Sequence, residues 1–156
     1  MASSPVPLPL KPTLAALPAL HATSKVLRNQ IRQTIRCRPD VPILVALDDD
    51  PTGTQTCHGI PVLTTWSVPA LSAEFAQTAP GSGFFILTNS RALFGPAAKA
   101  LIVEICQNLK EAAGGRPFEV VLRGDSTLRG HFPLECDAVE EVLGERDAWV
   151  RRFTWN

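Results

Sequence analysis

The chain has 156 residues, 45% of them hydrophobic, and a formal net charge of zero. That length suits one globular domain and leaves no room for two comfortable ones. Without net charge there is no broad field to draw nucleic acid or an anionic membrane surface, and no apolar run reaches the length that spans a bilayer.

Residues 1–39 stand apart. They carry Lys11, Lys25, Arg28, Arg32, Arg36 and Arg38 but no Asp or Glu. Pro5, Pro7, Pro9, Pro12 and Pro18 predict an irregular leader. Leu20, Ser24, Leu27, Ile31 and Ile35 then follow the three-to-four spacing of a helix with one face for docking. We expect residues 1–40 to be a flexible basic leader plus a packing helix. The basic, Ser-containing, acid-free composition also matches an import signal.

From Val41 onward, apolar runs and helical periods alternate. Ile43 to Leu47 is a continuous apolar run between Pro42 and an acidic triplet, as in a strand buried on both faces. Ile60 to Leu63 reads as a second, short strand. Ser67 and Pro69 introduce a helix through Gln77, since serine caps free amides and proline suits the first turn. Pro80, Gly81 and Gly83 end it. Phe84 to Leu87 is the next strand, Pro96 to Ala113 a helix stopped by Gly114 and Gly115, and Phe118 to Leu122 another strand. A last helix runs from about Pro133 to Leu143. The alternation predicts an α/β domain with a mostly parallel sheet and helices on both faces, a Rossmann-like three-layer arrangement.

Three polar clusters each follow one of these strands: Asp48 to Thr56, Thr88 to Arg91, and Arg123 to Gly130. In an open α/β sheet the carboxyl ends of parallel strands share an edge, so such clusters converge on one crevice. Three adjacent carboxylates, Asp48, Asp49 and Asp50, repel one another unless a cation, a metal, an arginine or a polyol compensates them. Gly53 lets the backbone approach closely, and Thr52, Thr54 and Thr56 add hydroxyls. An isolated triplet of this kind is equally often a solvated turn. Arg91 is a natural bidentate partner for a carboxylate. Arg123, Asp125, Ser126, Thr127 and Arg129, between Gly124 and Gly130, suit an anionic ligand. His131 reads as a residue at a helix start without catalytic duty, despite an unperturbed pKa of about 6.5. His58 has no companions for metal binding, and His21 lies in the leader. Cys37, Cys57, Cys106 and Cys136 form no Cys-x-x-Cys pair, so reduced, mostly buried thiols of a cytoplasmic protein are expected rather than a zinc site.

Two families share parts of this pattern. Asp48-Asp49-Asp50-Pro51-Thr52, with the strand ending in Thr88-Asn89, resembles the haloacid-dehalogenase-like phosphatases. That likeness implies Asp48 as nucleophile and Asp50 as general acid, with magnesium between them. Pro51 and Arg129 depart from it, standing where such enzymes have a small residue and a second aspartate. Asp48 to Thr64, Phe84 to Leu93 and Gly124 to Glu135 together resemble the N-terminal domain of the four-carbon acid sugar kinases, most specifically through the string Asp125-Ser126-Thr127-Leu128-Arg129-Gly130-His131-Phe132-Pro133-Leu134-Glu135.

The second resemblance spans residues 41–150 and implies ATP-dependent phosphorylation of a threonate, erythronate or oxo-tetronate at its terminal hydroxyl. An N-terminal domain would bind the sugar acid and a separate C-terminal domain the nucleotide. By that likeness Asp49, Asp50 and Thr52 contact substrate hydroxyls, and one of the aspartates orients or deprotonates the attacking one. Asp125, Ser126 and Arg129 complete the pocket, and Arg91 or Arg129 holds the carboxylate. ATP and Mg2+ serve the full-length family. Gly114-Gly115 follows a helix and precedes a strand, the wrong order for a phosphate-cradling loop, so no complete ATP site is expected in this chain. The end, residues 151–156, is unlike the family's continuation. An incomplete domain lacking its C-terminal nucleotide-binding partner is therefore expected, and a non-catalytic remnant or binding module is a further reading. Neither a nucleic-acid nor a membrane partner is expected.

Overall fold

The computed structural model describes residues 9–17, 24–54, 57–124 and 129–144. The chain divides into two compact units, Met1–Thr34 and Ile35–Asn156. In the first, helix α1 spans Leu10–Ala16 and helix α2 begins at Ser24, running to Arg36 in the second. Helix α1 falls where proline predicted irregular chain. Pro9 sits at its N-cap and Pro12 in its first turn, where the missing amide hydrogen would have had no helical partner in any case. Leu10, Leu14, Leu17, Val26, Leu27 and Ile31 are all exposed. Among the described residues, no helix is long and apolar enough to cross a membrane.

The second unit is an α/β domain built on four parallel strands: β1 (Ile43–Asp48), β2 (Val62–Leu63), β3 (Gly83–Leu87) and β4 (Phe118–Arg123), in the spatial order β2-β3-β1-β4. Three helices accompany them, α3 (Val68–Gln77), α4 (Gly95–Ala112) and α5 (Leu134–Leu143). The strands and helices expected from Val41 onward are all present, with ends displaced by a residue or two. Ser67 occupies the N-cap of α3 but makes no side-chain capping bond.

Pleating sorts the strand residues between two faces. Ile43, Val45 and Leu47 of β1, with Phe84, Ile86 and Val120, face the core together with Leu71 and Phe75 of α3, Ile102, Ile105 and Leu109 of α4, and Ala138, Val139 and Leu143 of α5. Phe75 meets Phe84 and Phe118 edge-on, with ring centroids 5.4 and 5.7 Å apart, contacts worth about 0.5–1.5 kcal/mol each beyond burial. Arg116 donates to the carbonyl oxygens of Phe75 and Thr78, satisfying the end of α3. Trp66 donates to Glu104, and Asn108 to the Trp66 carbonyl, tying the approach to α3 onto α4.

Helices α3, α4 and α5 pack on one face of the sheet. The steps β2 to β3 and β3 to β4 run in the same direction across the sheet, so right-handed crossovers deliver α3 and α4 to the same face. The other face carries Leu44, Ala46, Gly83 and Phe85. There, with Ile35, Val41 and Ile60, they line an apolar groove of about 520 Å³. Leu44 remains 44% exposed in the middle of the sheet. Cys106 and Cys136 are buried, with the Cys106 thiol pushed up to about 12 by burial, whereas Cys37 and Cys57 are exposed, so half of the cysteines rather than most are buried.

Candidate functional site at the carboxyl edge of the sheet

Asp48 pairs with Leu87 on one side and Arg123 on the other, so three strands end level. Polar chain therefore leaves β1, β3 and β4 from one edge. The carbonyl of Asp48 accepts from the Thr88 amide at 2.8 Å and the Thr88 hydroxyl at 3.0 Å, while the Asp49 amide donates to the Arg123 carbonyl at 3.3 Å. Asn89 turns the chain out of β3 with φ of 50°, a left-handed conformation that Asn tolerates better than most residues. It delivers Ser90 and Arg91 in a single 3-10 turn, Ser90–Ala92.

Arg91 answers the question of what compensates the acidic triplet. Its Nη2 donates to Asp49 Oδ1 at 2.9 Å and its Nε to Asp49 Oδ2 at 3.2 Å, a bidentate grip, while Nη1 donates to Asp50 Oδ2. The Asp49 side chain is 3% exposed and that of Arg91 14%, so the pair works where water screens it little. Asp50 is held from its other side. The Thr52 hydroxyl and amide donate to Asp50 Oδ1 at 2.6 and 2.7 Å, and these bonds, with the charges of Arg91 and Arg129 beyond, hold its carboxyl below the usual carboxylate range. Asp50 is thus an ionised acceptor of fixed direction.

Asp48 has a different character. It is wholly buried, with Oδ1 accepting from the Asp50 amide at 3.4 Å and lying 3.7 Å from Arg123 Nη1. Oδ2 has no hydrogen-bond partner among the described residues. Burial raises its carboxyl above the usual range, outweighing the Asp50 amide and Arg123. A native state that holds this proton more tightly than the unfolded chain loses stability as pH climbs from the ordinary carboxylate range to the native value. Asp48→Asn should therefore melt higher than wild type at neutral pH, with the gap closing below about pH 4. Melting curves across pH with a constant gap would contradict this. As a phosphate nucleophile Asp48 fits poorly, because it forms the floor beneath the loop rather than its rim. Among the described residues, no group of three or more His, Cys, Asp or Glu is arranged to hold a metal ion.

Of the predicted site residues, the fold brings Asp49, Asp50, Thr52 and Arg91 together. Arg129 acts on Asp50 through its charge. Asp125 and Ser126 lie outside the described residues. Glu135, in the first turn of α5, was not singled out by residue type or spacing. It is 7% exposed and hydrogen-bonded to Ser90, with Asp49 close enough to push its carboxyl up. Burial is the larger cause of that upward displacement. His131 Nε2 lies 3.1 Å from the Ser90 carbonyl oxygen, a structural link between the turn after β3 and the approach to α5.

A parallel α/β domain with acids, a guanidinium and hydroxyls gathered at the carboxyl edge of its strands defines a ligand-binding domain for a small polar molecule. The comparison with protein families gives that class a sharper definition: residues 44–153 match the sugar-binding N-terminal domain, and the chain belongs to that family. Neither the search of curated proteins nor that of solved structures gave a match.

Proposed function

We propose that this chain is the substrate-binding part of an ATP-dependent kinase that phosphorylates the terminal hydroxyl of a four-carbon sugar acid, with the nucleotide carried by a separate domain. The observation that carries the reading is the joining of Asp49, Asp50 and Arg91 at the sheet edge, inside the segment matched to a sugar-binding domain. Ionised carboxylates held in fixed directions accept hydroxyls of a polyol, and guanidinium groups pair with its carboxylate. Arg129, the more exposed of the two arginines, is the better hook for an incoming acid, since Arg91 is committed to the aspartates. Asp125 and Ser126 complete the pocket in this proposal.

Phosphoryl transfer asks the protein mainly for positioning and neutralisation of charge. Asp50, held below the ordinary carboxylate range, suits orientation of the attacking hydroxyl better than storage of its proton. ATP and Mg2+ supply the phosphoryl group and its charge compensation when a nucleotide domain is present. The reaction belongs to the cytoplasm in this reading.

Calorimetric titration with threonate, erythronate and oxo-tetronate tests the proposal. Saturable heat with at least one of them is expected. A folded chain that takes up none of the panel overturns the assignment and favours a non-catalytic binding module.

A further inference from the structure

Glu135 contributes a second buried carboxyl to this edge. One of its oxygens, Oε1, has no hydrogen-bond partner among the described residues. The Ser90 hydroxyl bonds to the same carboxyl group and itself receives the Thr88 hydroxyl at 3.1 Å, so the side chain is fixed from behind. The charged groups that act on it are Asp49, from the end of β1, and His131, from the approach to α5. Asp49 is in turn engaged by Arg91. A side chain at Gly124 would begin 3.3 Å from Asp49 Oδ2 and 3.9 Å from Glu135 Oε2, so the bare glycine keeps a narrow gap that Glu135 meets through Oε2. The two carboxylates therefore border the same stretch of bare backbone, where the polar chain leaves β4.

A buried carboxylate oxygen left without a donor is costly. We propose that Glu135 is a ligand-contacting residue whose carboxylate, bordering the Gly124 gap beside Asp49, accepts a hydroxyl of the bound sugar acid. This rests on the sugar-acid reading above and adds a residue to it. Asp49 and Asp50 are already engaged by Arg91 and Thr52, whereas Glu135 keeps an acceptor in reserve. The contact requires the ionised form, so binding and deprotonation of Glu135 support each other.

The experiment is a calorimetric titration of the full chain with threonate and erythronate across a pH series, for wild type, Glu135→Gln and Glu135→Ala. Wild-type affinity should weaken as pH falls toward the ordinary carboxylate range, in a step that the Glu135 variants lose although Asp48, also displaced upward by burial, is kept. Glu135→Gln should bind about tenfold more weakly at neutral pH, the size of one hydrogen bond to a charged group, and should lose that step of the pH profile. Glu135→Ala should be at least as weak.

A merely structural Glu135 would lower the melting temperature and leave the shape of the profile unchanged, which overturns the inference. Wild-type affinity and profile in a folded Glu135→Gln protein also overturn it while leaving the sugar-acid reading intact. A wild-type chain that binds neither acid removes both. Should the variants not fold, carbon-detected NMR titration of the Glu135 carboxyl in wild type decides the matter. Ligand must lower its apparent pKa, and an unmoved or raised value refutes the contact.

Discussion

Replacing Arg91 by alanine should cost the domain on the order of 3–5 kcal/mol, the usual penalty for stripping one partner from a buried ion pair. Asp49 has almost no solvent to fall back on, its side chain being 3% exposed, and Asp50 is only 19% exposed. Without the guanidinium, both stand within two residues of the buried Asp48. In urea this should lower the unfolding midpoint by about 1 M or more at an unchanged slope. Arg91→Lys should fall between, because an ammonium group keeps the charge but cannot span two carboxylates as a planar fork does. Adding Asp49→Asn to Arg91→Ala should recover part of the loss, since the stranded charge is then gone. A midpoint that stays put in Arg91→Ala would mean that solvent already compensates the acids.

Gly53→Ala should be nearly as damaging for an unrelated reason. A Cβ placed on Gly53 would lie 2.0 Å from Asp48 Oδ2 and 2.4 Å from Asp48 Cγ. Asp48 cannot step aside, because it is wholly buried and its backbone is paired to strands on both sides. Overpacking of this kind costs about 1–3 kcal/mol, sometimes more, equivalent to a melting temperature lower by roughly 5–10 °C for a domain of this size. Asp48→Ala in the same chain should restore much of the difference by opening the space, a non-additivity that a double-mutant cycle measures directly. Simple addition of the two losses would show that the loop yields instead.

Much of the domain could be read before its structure. Ile43 to Leu47 is apolar throughout, and Phe118 to Leu122 is apolar but for Glu119, because both faces of a parallel strand can be covered, and Gly114 with Gly115 marks the end of α4 unmistakably. Asp49, Asp50 and Arg91 were legible as a group because each follows a strand. What escaped was set by three-dimensional placement. Arg91 or Arg129 was expected to hold a substrate carboxylate; the pairing of Arg91 with the aspartates spans about forty residues of chain and depends on the register of β1 with β3. Glu135 is one acid among several on α5, and only the packing of that helix brings it to Ser90. Helix α1 was missed because proline stops a helix interior but not a first turn. That α3 and α4 share one face follows from the direction of successive crossovers, which no run of residues records.

The two halves of the acid cluster stand on very different footings. Asp49 and Asp50 extend from a strand clamped between two neighbours, whereas Arg91 rides on one isolated turn of three residues. Charge neutralisation at this edge therefore depends on strand pairing: Arg91 meets the acids only because the turn after β3 is fastened to the end of β1 through Thr88, so whatever slips that register unpairs the cluster.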